Sequence, residues 1–280
     1  LEALVARGFA AVYCEGESLR RIAAVDRHHL TGFKLIEVET SNLDLDGLCE
    51  LQERVLKDAA CSLHADRIGG RNMTRIDRML GREHPRMTYR EAVAVLNQRG
   101  LTLKFGEDLM SEAEASLIRY CGNLPLHVTH YPASLKFFNM KLDRSDSSVV
   151  ECVDTILPYA GETFGGGVRE HDPDILRDRL FASSTYAHLL NQPRNIAHQR
   201  CSAAVGVAGG RREQELAARY IADIRRSFED YLAVFAKQSV ASSGFGLGIA
   251  RLLQYFMGLN SIKDAVIFPM DRNGLGTLGH

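Results

Sequence analysis

The feature of this 280-residue chain that most constrains its fold is the order of its candidate strands, which follow one another across turns and polar loops. Residues 9–19 and 33–40 carry β-branched and aromatic residues in near alternation, which predicts two paired strands. Residues 126–159 add three more candidates, LHVTHY, LKFFNMKL and SVVECVDTILPY, separated by Pro132 and the polar turn DRSDS. Because strands joined by turns pair antiparallel, the sequence predicts an α+β fold in which helices flank an antiparallel β-sheet.

Several segments show the apolar spacing of amphipathic helices. They are residues 43–64, 88–100, 111–120, 211–236 and 248–258. Asn42 or Asp44 is the expected N-cap of the first, and Thr88 that of the second, which Gly100 ends. The third begins with an S-x-x-E capping box. The polar segment 65–85 is predicted to be a loop between helices.

Composition narrows the class of protein. Hydrophobic residues make up 45% and charged residues 25% of the chain, as in an ordinary folded domain, and we expect one domain over residues 1–280. The net charge of -1 gives no overall attraction to a polyanion. No apolar run reaches the length of a membrane span and no secretory signal is evident, so the expected location is cytoplasmic, without a membrane partner. The chain opens with Leu, from which we expect that upstream residues are missing.

The six cysteines form no C-x-x-C pair and have no matched histidine spacing. The sequence therefore indicates neither a cysteine-based zinc site nor a disulfide framework. Reduced thiols that are mostly buried are the expectation.

A polar loop joins the first two predicted strands and contains Arg20, Arg21, Arg27, His28 and His29. Guanidinium groups bind phosphate oxygens in a bidentate manner, so an arginine-rich loop is a candidate phosphate clamp. The alternative is a solvated surface turn, because charged runs in loops are commonly that.

A second candidate site lies in residues 153–171. Asp154 and Glu162 flank a proline-containing bend and offer the carboxylate oxygens that Mg²⁺ prefers. The glycines at 165–167 allow a ligand to approach the backbone, and Arg169 adds a fixed positive charge. The alternative is a β-bulge with exposed acids.

A third candidate, SSGFGLGIARL at residues 242–252, runs from a glycine-rich strand into a helix. Phosphate groups bind at such helix N-termini. The segment is neither a P-loop nor a dinucleotide fingerprint, and alone it is a weak signal.

Taken in order, these segments resemble the catalytic domain of asparaginyl-tRNA synthetases and their aspartyl relatives. The second class-defining motif, FRxE then RHLTEF, corresponds to LRRI at 19–22 and RHHLTGF at 27–33. The third motif, GFGLGxER, corresponds to GFGLGIAR at 244–251. TYREAVAVLNQRGLTLKFGEDL, YPASLKFFNMKL and VDTILPYAGETFGGGVRE also look like the asparaginyl branch.

The resemblance implies an enzyme that uses ATP and Mg²⁺ to activate aspartate or asparagine as an aminoacyl-adenylate. By position, Arg20 would hold the ATP α-phosphate, Phe33 would stack on adenine, and Arg251 would contact the γ-phosphate and the other adenine face. The resemblance also implies further ligand residues. These are Arg27, His28, Gly246 and Gly248 for ATP, Asp154 and Glu162 for Mg²⁺, and Gly165, Gly166, Arg169 and Glu170 for the amino acid.

Several positions depart from the family pattern. They are Ile22, Gly32, Asn139, Val168, Ser242 and Ala250, in place of Glu, Glu, Tyr, Gln, His and Glu. The family's N-terminal β-barrel, its first motif and its Gln-Ser-Pro-Gln loop are not in this sequence. We therefore expect a paralogue with an altered pocket, or an enzyme that has lost activity.

Three functions stay open on the sequence. The favoured one passes the activated acyl group to ammonia or another amine, as an asparagine synthetase or a biosynthetic ligase would. The others are a catalytic fragment of a genuine asparaginyl-tRNA synthetase, with tRNA as acceptor, and a non-catalytic module that binds a nucleotide or a partner. A homodimer is the expected assembly.

Overall fold

The computed structural model describes residues 1–19, 28–63, 71–201, 207–237, 239–271 and 274–275. In that part of the chain a seven-stranded sheet has the order β1-β2-β7-β6-β5-β4-β3. Its strands are β1 Ala11–Leu19, β2 Gly32–Ser41, β3 Arg86–Thr88, β4 Leu126–Thr129, β5 Cys152–Leu157, β6 Gly161–Val168 and β7 Ser242–Gly248. All neighbours pair antiparallel except β3 and β4, which are parallel. Two short strands, β8 Met270–Asp271 and β9 Gly274–Leu275, pair separately.

Helices lie on both sides of this sheet. Their bounds are α1 Glu2–Val5, α2 Leu45–Ser62, α3 Arg71–Leu80, α4 Tyr89–Gln98, α5 Ser111–Tyr120, α6 Pro173–Ala182, α7 Ser184–Cys201, α8 Val207–Lys237 and α9 Ile249–Met257, with 3-10 turns at Ala133–Leu135 and Ile262–Ala265. The α+β prediction is confirmed. Within the described ranges, none of these helices has the length and apolar character needed to cross a membrane.

The two faces of the central strands differ in side-chain size. On one face, Phe164, Phe245 and Leu247 are buried and pack in a hydrophobic core that includes Leu48 and Leu56 of α2. Burial of these apolar side chains stabilises the sheet and fixes the register of its strands. Because side chains alternate between the two faces, the same register puts glycines at most positions of the opposite face.

The helix caps follow the sequence closely. The Asp44 carboxylate accepts a hydrogen bond from the Gly47 amide at 2.9 Å, which confirms it as the N-cap of α2. Thr88 and Glu91 form the capping box of α4. The capping box expected at 111–114 is absent, because Met110 is the N-cap residue and makes no side-chain cap bond.

Two predicted elements were wrong. The expected loop at 65–85 contains helix α3, in which Ile76 and Met79 are buried at helical spacing. The expected strand LKFFNMKL instead follows a 3-10 turn and makes isolated bridges at Met140 and Leu142. Chain direction changes there, so no continuous ladder forms.

The described cysteine side chains are free thiols, as expected. Cys49 and Cys152 are buried, and burial raises the pKa of these thiols to about 11 and about 12. Cys14 and Cys121 are half-buried and Cys61 is exposed, so the expectation of mostly buried thiols holds only in part.

Candidate active site

The floor of the candidate site is a row of residues that crosses four neighbouring strands. Glu37 pairs with Gly246, Gly246 with Gly165, and Gly165 with Asp154. Directly paired residues project from the same face of a sheet, so this row places two glycines between two acids. Glycine leaves the backbone exposed, and a cavity of about 930 Å³ lies over this face.

One end of the cavity combines an aromatic ring with positive charge. Phe33, His28 and Arg251 all line it. Phe33 lies at the start of β2 and packs against a small cluster formed by Leu30, Ala250 and Ile262. Arg251 lies in the first turn of α9, and its guanidinium donates to the backbone carbonyl of Glu162. An apolar wall beside a guanidinium suits a ligand with both a ring and anionic groups.

The predicted phosphate clamp falls partly outside the described residues, since Arg20 and Arg27 belong to residues 20–27. His28 and Phe33, which follow them in the sequence, lie at the cavity wall.

The two predicted metal ligands border a common point of the floor. A methyl group added at Gly165 would lie 2.6 Å from Glu162 Oε1 and 3.6 Å from Asp154 Oδ1. Glycine at 165 therefore leaves room for both carboxylates. Asp154 is buried, and Lys136 Nζ donates to its Oδ2 at 2.5 Å. This lysine has a raised pKa because of its acidic surroundings, Asp154 above all, so it remains charged.

A third acid, Glu114 of α5, joins this group. Its Oε1 accepts a hydrogen bond from the Glu162 amide at 3.3 Å. Burial and the nearby Glu162 carboxylate raise the pKa of Glu114 to about 7, against the opposing effect of Arg251. Three carboxyl groups, one lysine and one arginine thus meet in this part of the site.

The opposite end of the cavity is organised by Arg169, whose side chain is largely buried between two carboxylates. Its Nη2 lies 3.0 Å from Oε2 of Glu39, and its Nε lies 3.4 Å from Oε1 of Glu2. Asn139 Nδ2 and the Tyr231 hydroxyl each donate to Glu2 at 2.6 Å. These acids raise the pKa of the Arg169 guanidinium despite its burial. All of these polar groups line the cavity.

Glu39 is itself held in place. The Ser242 hydroxyl donates to its Oε1 at 2.8 Å, and a methyl group at Gly244 would lie 2.0 Å from its Oε2. Only glycine at 244 leaves this space for the carboxylate. Asn139 and Ser242, two departures from the family pattern, therefore belong to the hydrogen-bond network around Arg169.

Two predicted amino-acid ligands lie elsewhere. Glu170 is buried, and its Oε1 accepts from the amides of His171 and Asp172 at 3.0 and 3.1 Å, which orders the turn before α6. A side chain at Gly166 would clash with Gly244 and Phe245 of the neighbouring strand, so its glycine is explained by strand packing. Neither residue lines the cavity.

The sequence matches the family described as tRNA synthetases class II (D, K and N) over residues 1–194 and 210–272. The chain belongs to this class II family. The predicted family assignment is thereby confirmed.

Among curated relatives, the class II chain is 28% identical to the asparaginyl-tRNA synthetase of Mus musculus over 277 residues, covering 93% of this chain and 50% of that protein. It is 29% identical to the asparagine–tRNA ligase of Pelotomaculum thermopropionicum, covering 94% of this chain and 54% of that protein. The chain thus spans about half the length of these relatives.

A solved class II structure is also similar. The asparaginyl-tRNA synthetase of Pyrococcus horikoshii complexed with asparaginyl-adenylate has a TM-score of 0.76 and 26% identity, covering 98% of this chain and 55% of that chain.

Sequence reasoning missed four residues of this class II site: Glu2, Glu39, Glu114 and Lys136. Glu37 and Glu39 lie two residues apart, on the same face of β2 and alternating with the apolar residues Ile36 and Val38, and this pattern was a usable signal for an acidic floor. The other three come from α1, from α5 and from the segment wrongly predicted as a strand. No local pattern marks them, because their proximity depends on the tertiary fold.

Proposed function

We propose that this chain binds ATP and asparagine and joins them as asparaginyl-adenylate. An oxygen of the asparagine α-carboxylate attacks the α-phosphorus of ATP, the bond from that phosphorus to the bridging oxygen breaks, and pyrophosphate leaves. No proton transfer is needed in this step, so positioning and charge stabilisation are the contributions that the protein must supply.

The observation that carries the proposal is the position of Arg169 between Glu39 and Glu2, at the far end of the glycine floor from Arg251. The side-chain amide of asparagine has a carbonyl oxygen that can accept a hydrogen bond from Arg169 and an NH2 group that can donate one to Glu39. An aspartate side chain would place a second carboxylate beside Glu39, which is unfavourable in a largely buried site. The pair therefore favours asparagine over aspartate, and Glu2 is placed to receive the α-ammonium group.

The other end of the cavity has groups that suit the binding of ATP. Phe33 supplies an apolar face for the base, and Arg251 supplies positive charge for the phosphates. The Asp154 and Glu162 carboxylates fit Mg²⁺ as a donor set, and the close contact of Asp154 with the Lys136 ammonium supports an affinity for cations there. Bound Mg²⁺ would supply neutralisation of phosphate charge.

Exchange of labelled pyrophosphate into ATP tests the proposal. Asparagine should support exchange in the presence of Mg²⁺, and aspartate should support far less. Exchange that prefers aspartate would overturn the amide assignment. If calorimetry detects no binding of ATP with Mg²⁺, the chain is instead a non-catalytic module.

For the acyl acceptor we propose ammonia or another small amine. Support comes from Asn139 and Ser242, which depart from the tRNA-charging family yet are built into the Arg169 network. The names of the relatives favour tRNA as the alternative. Preformed asparaginyl-adenylate bound to the chain should react with ammonia, forming the α-amide of asparagine and releasing AMP, at a rate well above both hydrolysis and the same reaction without protein. Faster transfer to tRNA would reverse this choice.

We also propose a homodimer in solution, as the family resemblance implies. Sedimentation equilibrium of the chain gives the mass directly, and a monomer at micromolar concentration would contradict the proposal.

A further inference from the structure

A second polar cluster lies on the face of the sheet opposite the glycine floor. Glu53 on α2, His84 just before β3 and His127 on β4 converge there. One ligand atom from each of the three lies within 4.8 Å of the other two. His127 pairs with Thr155 across β4 and β5, whereas the neighbouring pair, Val128 with Asp154, projects towards the floor. The sheet therefore separates this cluster from the proposed nucleotide site.

The tautomer of His127 is set by its neighbours. The Thr155 hydroxyl donates its single proton to Gln52 Oε1 at 2.5 Å. Its oxygen then accepts from His127 Nδ1, which lies 2.7 Å away. With the proton on Nδ1, the lone pair of His127 is on Nε2, and that atom lies 3.9 Å from Glu53 Oε2. Orientation of one ring nitrogen by a hydrogen bond while the other is free to ligate is typical of metal-bound histidine.

Glu53 presents one oxygen to both rings. Its Oε1 lies 2.7 Å from Lys57 Nζ, and its Oε2 lies 3.9 Å from His84 Nδ1 and 3.9 Å from His127 Nε2. A separation of 3.9 Å is too long for a hydrogen bond. The carboxylate and the two imidazoles thus surround a point that their own contacts do not fill.

Both histidine side chains are fully buried, yet their inward-facing atoms lack partners. In the described part of the chain, the ring nitrogens of His84 and Nε2 of His127 make no hydrogen bond of ordinary geometry, although the Met79 backbone lies close to His84 and the Glu53 carboxylate to His127. Buried polar atoms are rarely left in this state, and each case calls for a water or an ion.

We propose that Glu53, His84 and His127 bind one divalent transition-metal ion of the Zn²⁺ type. Two imidazole nitrogens and one carboxylate oxygen are the donor set that Zn²⁺ accepts, with a fourth position left for water. Bonds of about 2.0 Å place tetrahedral ligands roughly 3.3 Å apart, so a small inward movement of the three side chains completes the site. The ion would join α2, the segment before β3, and β4.

The test is a titration of the untagged, chelator-treated chain with Zn²⁺, followed by calorimetry and elemental analysis. We expect one tightly bound ion per chain and a rise in Tm on binding. Co²⁺ in the same site should give the intense visible absorption of a tetrahedral complex. His84→Gln and Glu53→Gln should each remove that absorption and the tight binding, whereas His188→Gln, at an exposed position on α7, should remove neither.

A substitution that keeps all three ligands covers the case in which a ligand variant fails to fold. Thr155→Val has a similar shape and removes the hydrogen bonds of the Thr155 hydroxyl with His127 and with Gln52. Because His127 then loses the group that orients it, Zn²⁺ affinity should fall roughly 10- to 100-fold. Asp154→Asn, on the nucleotide side of the sheet, should leave Zn²⁺ binding intact while it weakens ATP-dependent exchange. Stoichiometric Zn²⁺ binding that survives both Glu53→Gln and Thr155→Val, or no binding to the unmodified chain, would overturn the proposal without affecting the proposed adenylate chemistry.

Discussion

The guanidinium of Arg169 is held against the carboxylate of Glu39, with Nη2 3.0 Å from Oε2, although the two residues are 130 positions apart in the chain. Both side chains are largely buried. An ion pair in such surroundings is costly to break from one side, because the remaining charge is left without its partner. The pair is therefore expected to be both a structural contact and the determinant of amino-acid choice.

Glu39→Gln should change that choice. The side-chain amide of this variant would accept a hydrogen bond from the side-chain NH2 group of asparagine less strongly than the Glu39 carboxylate does. The kcat/KM for asparagine should therefore fall about 10- to 100-fold, which is the effect of losing a hydrogen bond to a charged group. Aspartate should be discriminated against less, because the like charge is gone. Pyrophosphate exchange with each amino acid measures the ratio. Glu17→Gln, at an exposed position on neighbouring β1, is the matched control. An unchanged ratio in Glu39→Gln would remove Glu39 from amino-acid recognition.

Lys136→Met should make the stability of the folded chain more dependent on Mg²⁺. Lys136 forms a largely buried ion pair with Asp154, and its loss leaves Asp154 near Glu162 and Glu114 without that cation. Breaking such a pair typically costs about 3–5 kcal/mol, part of which Mg²⁺ should restore. Urea unfolding with and without MgCl₂ measures the effect. Lys141→Met is the control, since Lys141 forms an equally short pair with Glu151, 2.6 Å apart. Equal Mg²⁺ responses in the two variants would contradict a cation site at Asp154.

Much of the fold could be predicted because local patterns and tertiary pairing agree. The alternation in β1 and β2, the Asp44 cap and the capping box of Thr88 and Glu91 are all local signals that the structure retains. LKFFNMKL failed because its apolar pattern resembles a strand, while no long partner lies beside it and Phe137 remains 63% exposed. Strand propensity reports fit to a paired surface, and pairing is not visible in the segment itself.

The residues of the candidate site could likewise be predicted only in part from the sequence. Asp154, Glu162, Arg169, Phe33 and Arg251 were selected from motifs and meet at one cavity or its floor. What the motifs could not supply is the second partner of each charge, as with Lys136 for Asp154. These partners come from distant elements, so their contacts exist only in the folded chain.

Glu114→Gln should change the pH dependence of stability. Burial and Glu162 raise the folded-state pKa of Glu114 from 4.5 to about 7, so the folded chain binds a proton that the unfolded chain releases between these values. Stability from this group is present below about pH 4.5 and is lost as pH rises through 7, a change of roughly 3 kcal/mol. The variant should gain stability relative to wild type between pH 5 and pH 8. Urea unfolding at both values tests this, with the exposed Glu112→Gln on the same helix as control. Parallel pH profiles of wild type and Glu114→Gln would contradict the raised pKa.

Arg251→Ala should impair adenylate formation while leaving the fold intact. Arg251 lines the cavity from the first turn of α9 and donates to the Glu162 carbonyl, so its guanidinium is fixed beside the acids expected to hold Mg²⁺. A fixed positive charge stabilises the developing charge on phosphate oxygens, and loss of one such donor lowers the rate by about 10²- to 10³-fold. Single-turnover formation of asparaginyl-adenylate isolates that step from product release. Arg177→Ala, on the exposed surface of α6, should react at the wild-type rate. Wild-type kinetics in a folded Arg251→Ala would contradict a role for Arg251 in stabilising the phosphates, because the fixed charge proposed to act on them would be absent from the cavity wall.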